Sequence, residues 1–205
     1  MKRSIKIAAV LAVGVCFAFA LPKTNEPKHI NVVIDAGHGG KDHGATHDTF
    51  TEKQIVNDVA NKIQQLNKDR DVVIHFTRVS DNFISLEERV EAINAIKPDL
   101  VLSLHVNYTD KSPRSGMEFF VCDSAKEAKK SVEFAEKLSD RFEAKNFKVA
   151  DVKSAKFYIL NKSEAPAVTV ELGYLSNEQD RSYLTNEKKQ DEIATIMLDF
   201  IKEIK

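Results

Sequence analysis

The sequence contains little cysteine and no tryptophan: two cysteines, Cys16 and Cys122, occur among 205 residues. Two cysteines provide neither a disulfide framework nor the thiolate cluster of a structural zinc site. Cys122 follows an apolar run and is predicted to be a buried, unreactive thiol. Any metal site in this chain must therefore be built from histidine and carboxylate side chains.

An excess of one charge is also missing, because 30 lysine and arginine residues stand against 31 aspartate and glutamate residues. The chain therefore lacks the basic patch of a nucleic-acid-binding protein, and no nucleic-acid partner is expected.

Two glycine-based motifs are absent as well. Asp42 stands where a G-x-G-x-x-G dinucleotide loop needs its third glycine, and the G-x-S-x-G elbow of serine hydrolases does not occur.

Long apolar runs are confined to the first twenty residues. A basic start precedes the apolar residues 7–19, and residues 18–20, Ala-Phe-Ala, fit an A-x-A cleavage site. We expect residues 1–20 to be a secretory signal peptide that directs export to the periplasm or the cell exterior. Lipidation at Cys16 is the less favoured alternative, because Val15 stands where a small residue is needed. Cleavage removes three positive charges, so the net charge changes from −1 to −4.

A proline-containing linker is predicted at 21–29, and residues 30–205 are predicted to form one catalytic domain. Short apolar runs in this domain predict strands at 32–34, 71–77, 100–104, 117–121, 157–160 and 167–170. Amphipathic segments predict helices at 51–68, 85–97, 125–145 and 187–204. Capping boxes are predicted for the first two helices, Thr51 with Gln54 and Ser85 with Glu88. This pattern predicts an α/β fold, a single three-layer domain with a twisted, mostly parallel sheet of about six strands and helices on both faces.

The stretch VVIDAGHGGKDHGA at residues 32–45 is the most distinctive in the chain. An apolar strand runs into Gly37, and His38 stands between this glycine and the pair Gly39-Gly40. A histidine on bare backbone at a strand tip can serve as a metal ligand or as a catalytic base on a rigid scaffold. The alternative is a tight turn that only happens to contain a histidine.

Three polar residues stand at the ends of predicted strands, where the sites of parallel α/β sheets lie: His38, His105 and Glu171. A hydrolytic zinc site takes three protein ligands, commonly two histidines and one glutamate. Glu52, at the start of the first helix, is the best third ligand; alternatively it only complements the helix dipole. Glu171 follows the apolar run 166–170, which makes it a general base, a metal ligand, or a carboxylate paired with a nearby arginine or lysine.

Six segments follow one another in an order that is typical of one enzyme family. They are VVIDAGHGGKDHGA, TEK at 51–53, FTR at 76–78 with SLEERVEAIN at 85–94, LVLSLHVNY at 100–108, GMEFFV at 116–121, and APAVTVELGYLSN at 165–177. In these segments, which cover nearly all of the chain after residue 30, the chain resembles the zinc-dependent N-acetylmuramoyl-L-alanine amidases.

The resemblance implies both a site and a reaction. His38, Glu52 and His105 match the family's zinc ligands, and Glu171 matches its catalytic glutamate. One zinc ion is the implied cofactor. The implied substrate is peptidoglycan, at the amide between N-acetylmuramic acid and the L-alanine of the stem peptide. Only residues 106–115 separate the second histidine from the next strand, which is too short for the inhibitory helix inserted in some relatives. A monomer is expected, and the sequence does not specify an activating protein partner.

Five further residues have candidate roles. Asp35 is a candidate for orienting a ligand imidazole, with a structural role at the strand end as the alternative. Asn107 is a candidate substrate contact, and Asn161 stands where the family commonly has a basic residue and is expected to lean toward substrate. Arg78 and Arg89 resemble family positions and are interpreted as structural ion pairs more than as contacts.

Two competing functions are consistent with the same residues. One is a non-catalytic peptidoglycan-binding domain that kept the fold, although binding alone would not need Glu171. The other is a zinc carboxypeptidase that acts within the stem peptide. Metal analysis and identification of the cleaved bond separate these functions.

Overall fold

The structure, a computed structural model, describes residues 29–110 and 114–205. The predicted signal peptide and residues 21–28 of the predicted linker lie outside the described residues. Within the described ranges, no helix is both long enough and apolar enough to cross a membrane.

Strands and helices alternate along the described chain. The strands are β1 (Ile30–Ala36), β2 (Thr46–His47), β3 (Phe50–Thr51), β4 (Val72–Phe76), β5 (Leu100–Asn107), β6 (Glu118–Val121), β7 (Lys153–Ser154) and β8 (Ala167–Tyr174). The helices are α1 (Glu52–Leu66), α2 (Leu86–Ile96), α3 (Ala128–Ala144), α4 (Tyr158–Lys162), α5 (Glu178–Leu184) and α6 (Glu187–Glu203).

Six of these strands form one sheet in the order β4-β1-β5-β8-β6-β7. The four strands β4, β1, β5 and β8 are mutually parallel, β6 is antiparallel to β8, and β7 is parallel to β6. The hairpin of β2 and β3 lies apart from this sheet, between β1 and α1. The predicted α/β fold with a mostly parallel six-stranded sheet is confirmed.

Different helices cover the two faces of the sheet. On one face, strand residues such as Leu102 pack with α1, α3 and α6 in the larger core. On the other face, Val101 packs with Ile93 of α2 and Leu160 of α4 in a smaller core. Side chains alternate between faces along a strand, so His105, four residues after Val101, lies on the face of the smaller core. The candidate site is therefore an extension of that face toward the carboxyl ends of the strands.

The prediction of a strand at 157–160 is wrong, because residues 158–162 form helix α4. Ile159 and Leu160 are adjacent and both buried in the smaller core, while Tyr158 and Asn161 are exposed. One turn of helix puts adjacent residues on one side, whereas a strand sends them to opposite faces. Periodicity cannot distinguish the two in so short an apolar run. The edge of the sheet is taken instead by the two-residue strand β7.

The two predicted capping boxes have different outcomes. The box of α2 is confirmed, because the Glu88 amide donates to Ser85 Oγ and the Ser85 amide donates to Glu88 Oε2. The capping box predicted for α1 is wrong, since the Thr51 side chain makes no capping hydrogen bond. A backbone hydrogen bond is present there instead, in which the Glu52 amide donates to the carbonyl of Ala45 at 2.8 Å. The start of α1 is thereby tied to the loop that carries His38.

Candidate metal centre

The predicted site residues come from neighbouring strands of the sheet. His105 lies near the end of β5, and Glu171 lies on the adjacent strand β8 as its direct partner in the parallel register. His38 lies two residues beyond the end of β1, on the other side of β5. Parallel strands end at the same edge of a sheet, so the fold brings these three side chains together.

The loop after β1 is shaped around the two histidines. His38 has a φ of 59°, a left-handed conformation that is uncommon for a residue with a side chain. Gly37 lies against the ring of His105, where a Cβ atom would be only 2.4 Å from Cε1. Gly44 fills the corresponding place beside Glu52 and His38, where a Cβ would be 2.5 Å from Glu52 Oε2. These glycines are needed because side chains occupy the adjacent space.

Glu52 is directed at both histidines. Its Oε1 atom lies 3.0 Å from His38 Nε2 and 2.9 Å from His105 Nδ1, and also accepts the Val106 amide at 3.0 Å. The other oxygen, Oε2, accepts the Ala45 amide at 2.8 Å. The carboxylate is 5% exposed, so a role limited to the helix dipole does not account for its contacts.

One donor atom from each of His38, Glu52 and His105 can be chosen so that all three lie within 4.8 Å of one another. The two imidazole rings are nearly perpendicular, with centroids 5.2 Å apart. Two neutral imidazole nitrogens and one carboxylate oxygen are the donor set of a divalent-metal hydrolase site. These residues therefore form a group that fits a metal ion.

Charge coupling within this group shifts the pKa of each member. Burial disfavours the charged imidazole of His38, but hydrogen bonding and attraction from Glu52 and Asp42 outweigh it and raise its pKa to about 9. The pKa of His105 is raised too, again by Glu52 against the effect of burial. Burial opposes ionisation of Glu52, yet the two histidines lower its pKa. These shifts all favour the charged forms, because each group is stabilised by the opposite charge of its neighbours.

Asp42, which sequence reasoning missed, contacts the imidazole of His38. Its Oδ2 atom lies 2.9 Å from His38 Nδ1, and its Oδ1 accepts the Gly44 amide at 3.1 Å. A carboxylate on the second nitrogen of a ligand histidine sets the tautomer and the ring orientation. The sequence signal that could have indicated this contact is a carboxylate four residues after His38 in a glycine-rich turn. In the structure, paired backbone hydrogen bonds between Gly39 and Asp42 close that turn.

Asp35 is a candidate for orienting an imidazole, but its contacts are with other groups. It accepts hydrogen bonds from Thr77, Ser103 and Arg89, and from no imidazole among the described residues. Burial raises the pKa of Asp35, but the charge of Arg89 2.7 Å away and the hydrogen bonds from Thr77, Arg89 and Ser103 together lower it by more, so the net shift is downward. Asp35 is on β1 and Ser103 is its cross-strand partner on β5. The structural role at the strand end, the alternative interpretation, agrees with these contacts.

Glu171 has the environment expected of a proton carrier. Its Oε2 atom is buried and has no hydrogen-bond partner among the described residues. Burial, with smaller contributions from the charges of Glu52 and Glu118, raises its pKa to about 7, while His105 acts in the opposite direction. A structural ion pair with an arginine or lysine, the third sequence-based interpretation, is not present in the described part of the chain.

The remaining predicted residues differ in where they lie. Asn107 donates from Nδ2 to Glu118 Oε2 at 3.0 Å, close to the partner strand residue of Glu171. Asn161 is exposed, and its Oδ1 atom contacts Cys122 and Ser124, which follow the end of the antiparallel strand β6. Their roles as substrate contacts stay predictions. Arg89 forms the predicted ion pair with Asp35, but Arg78 does not form one, because its hydrogen-bond partners in the described residues are neutral.

Known proteins share this sequence pattern and this fold. The family described as N-acetylmuramoyl-L-alanine amidase matches residues 32–203. Over 170 residues, the chain is 32% identical to the N-acetylmuramoyl-L-alanine amidase LytC of Bacillus subtilis (strain 168). That alignment covers 82% of this chain but 34% of LytC, so the chain spans about a third of the length of that relative.

Two solved structures match over nearly their whole length. The catalytic domain of CwlV, an N-acetylmuramoyl-L-alanine amidase from Bacillus (Paenibacillus) polymyxa var. colistinus, superposes with a TM-score of 0.78 at 30% identity, covering 85% of this chain and 97% of that chain. An N-acetylmuramoyl-L-alanine amidase from Clostridium difficile 630 gives a TM-score of 0.80 at 26% identity, covering 86% and 96%. Because the family matches most of the length of this chain and these relatives are similar to it, the chain belongs to the N-acetylmuramoyl-L-alanine amidase family, a family of hydrolases.

Proposed function

We propose that this protein is a zinc-dependent hydrolase that cleaves the peptidoglycan amide between N-acetylmuramic acid and the L-alanine of the stem peptide. One observation carries the proposal: donor atoms of His38, Glu52 and His105 lie within 4.8 Å of one another, and Oε2 of the neighbouring Glu171 is buried with no partner among the described residues. Membership of the amidase family supports the choice of substrate.

His38, Glu52 and His105 would hold the zinc ion, because two histidines and one glutamate are a common ligand set of zinc hydrolases. When bound there, zinc supplies Lewis-acid chemistry, which polarises a carbonyl group and lowers the pKa of a water molecule. The protein holds the donors in place: the Ala45 and Val106 amides fix the Glu52 carboxylate, and Asp42 fixes the His38 ring.

Glu171 is the proposed proton carrier. It takes the proton of the attacking water, and it delivers that proton to the leaving nitrogen of L-alanine as the amide bond breaks. A pKa raised to about 7 suits both steps near neutral pH, because neither protonation state is strongly favoured. No protein donor in the described residues competes for the Oε2 atom of Glu171.

Two observations disfavour the competing functions. A buried carboxylate oxygen without a partner costs about 1–3 kcal/mol, a cost that a binding domain would have no reason to bear at Glu171. A carboxypeptidase needs a cation to hold the terminal carboxylate of its substrate. Three basic side chains near the site are already engaged: Lys153 is paired with Glu118, while Arg78 and Arg89 donate to backbone carbonyls.

Export follows from the sequence of residues 1–20, which we propose are removed as a signal peptide. Relatives named as probable cell wall amidases from Staphylococcus epidermidis support a site of action outside the membrane. N-terminal sequencing of the protein recovered from the periplasm or the medium tests this. A mature N-terminus at residue 21 is expected, and a retained Met1 contradicts it.

The decisive experiment incubates zinc-loaded protein with purified peptidoglycan and identifies the new chain ends by mass spectrometry. Free N-terminal L-alanine on released stem peptides is expected. Release of a C-terminal amino acid would identify a carboxypeptidase, and co-sedimentation without cleavage would identify a binding domain. Glu171→Gln should keep one zinc ion per chain while turnover falls about 10²- to 10⁴-fold. Full activity in that variant would contradict the role of Glu171.

A further inference from the structure

Two buried arginines surround the backbone that carries His38. Arg78 is 4% exposed and Arg89 is 3% exposed. Neither is hydrogen-bonded to the imidazole within the described residues, and each donates to carbonyl groups of residues 36–38. Buried guanidinium groups are costly to desolvate unless their donors are satisfied, so the partners of these two side chains indicate what they do.

The hydrogen bonds of both arginines meet on three consecutive carbonyls. The Ala36 carbonyl accepts from Arg78 Nε at 3.0 Å and from Arg89 Nη1 at 2.8 Å. The Gly37 carbonyl accepts from Arg78 Nη2 at 3.1 Å, and the His38 carbonyl accepts from Arg89 Nη2 at 2.5 Å. Every carbonyl of residues 36–38 is therefore held by a fixed positive group.

Arg78 also reaches the helix that carries Glu52. The same Nη2 atom that binds Gly37 donates to the Lys53 carbonyl at 3.2 Å, and Nη1 donates to Asn57 Oδ1 at 3.1 Å. One planar guanidinium thus connects the His38 loop with the first turns of α1. Arg89 connects the same loop with β1, because its Nη1 atom donates to Asp35 Oδ1 at 2.7 Å.

The backbone at His38 needs such support. Its φ of 59° is a conformation that residues with a Cβ atom adopt infrequently, and it persists only when its surroundings impose it. An unconstrained loop would relax toward ordinary backbone angles and turn the imidazole away from Glu52.

We propose that Arg78 and Arg89 are positioning residues of the metal centre, which hold the 36–38 backbone in the conformation that directs His38 toward Glu52 and His105. The inference rests on the proposed function, since it takes His38, Glu52 and His105 as the ligands. This positioning role requires the planar guanidinium group with its five N–H donors. Lysine keeps the charge but has a single ammonium group, so it cannot replace either arginine.

The test compares zinc affinity, measured by competition with a chelator, in Arg78→Lys, Arg89→Lys and a matched control, Arg181→Lys. Arg181 also donates to a backbone carbonyl, that of Leu175, but not to the His38 loop. The zinc dissociation constant should rise about 10- to 100-fold in the first two variants and change less than about threefold in the control. Equal affinity in all three variants overturns the proposal.

A second measurement does not depend on the variants folding. In the metal-free wild-type protein, the guanidinium protons of both arginines should give separate, slowly exchanging NMR signals, because each group is locked on carbonyl acceptors. Averaged, rapidly exchanging signals overturn the proposal.

The variant His38→Ala distinguishes a failure of the proposed metal centre from a failure of the positioning role of the arginines. If this variant binds zinc as tightly as the wild type, the proposed metal centre fails. If it loses zinc while both lysine variants bind normally, only the positioning role of the arginines fails.

Discussion

Glu118 of β6 and Glu171 of β8 lie directly opposite each other in an antiparallel pair. Opposed residues place their side chains on the same face of the sheet, but these two carboxylates have different partners. Glu118 is in an ion pair with Lys153 and accepts hydrogen bonds from Asn107 at 3.0 Å and from the Tyr174 hydroxyl at 2.9 Å. Glu171 Oε2 is buried and has no hydrogen-bond partner among the described residues. One carboxylate is therefore engaged by three side chains, while its neighbour has an oxygen that no described donor occupies.

Replacing Glu118 should change the pH dependence of catalysis. Burial is the main cause of the raised pKa of Glu171, and the charge of Glu118 adds to it. Glu118→Gln should therefore lower that pKa and move the acidic limb of the pH–rate profile to lower pH, while zinc content stays the same. Lys153→Met should move the acidic limb to higher pH, because this substitution leaves the charge of Glu118 uncompensated. Profiles of kcat against pH check both, and two shifts of the same sign would contradict the coupling.

The stability of the metal-free protein should depend on pH through His38 and Glu52. The pKa of His38 is raised from 6.5 to about 9, so its contribution is complete below 6.5 and is lost as the pH rises toward 9. The pKa of Glu52 is lowered from 4.5, so its contribution is present above 4.5 and is lost at more acid pH. In chelator, we expect a higher unfolding temperature at about pH 6 than at about pH 9.5.

His38→Ala and Glu52→Gln are the controls for this pH dependence, and both should flatten it. With zinc bound the order should reverse, because metal binding requires neutral imidazoles and is favoured by higher pH. A metal-free protein that is equally stable at both pH values would show that the charged network contributes nothing.

Asp42 should contribute to metal affinity through the ring of His38. Asp42→Ala removes the carboxylate 2.9 Å from Nδ1, and the zinc dissociation constant should rise about 10- to 100-fold. Asp151→Ala, which removes an exposed carboxylate elsewhere, is the matched control and should leave affinity unchanged. Titration with a chelator measures both constants. Equal affinities would show that backbone contacts alone orient the ring.

Gly37 should tolerate no side chain, for a steric reason that involves His105. In Gly37→Ala the new Cβ would lie 2.4 Å from Cε1 of His105 and 2.8 Å from both ring nitrogens, so the ring must move away. We expect zinc affinity to fall by at least about tenfold. Gly116→Ala is the control, since its Cβ would meet the Lys148 carbonyl at 2.8 Å and disturb a different loop. That variant should lose stability but keep zinc affinity, and the reverse pattern would contradict the explanation.

Much of the candidate site could be predicted from sequence because of one property of parallel sheets. Strands that run in the same direction end at the same edge, so His38, His105 and Glu171 had to lie near one another once the strands were identified. Glu52 could be added from its place at the start of the next helix. The apolar runs and helical stripes, together with a family resemblance carried in order along the chain, were sufficient for the fold class.

Partners of the ligands could not be predicted in the same way, because a hydrogen bond depends on loop conformation and not on spacing. Asp35 looked like the group that orients an imidazole, yet the left-handed turn at His38 brings Asp42 there instead. The helix at 158–162 was missed because a short apolar run is compatible with both kinds of backbone.

By itself, the sequence determined which residue types are available for chemistry: imidazoles and carboxylates at strand ends, and too few cysteines for any other metal site. Tertiary structure alone decided that Glu171 Oε2 has no partner among the described residues, that Asp42 contacts the ring of His38, and that Arg78 and Arg89 donate to the carbonyls of residues 36–38. The physical reason is that donors and acceptors far apart in the chain pair only when packing removes water, and that outcome depends on distances across the fold.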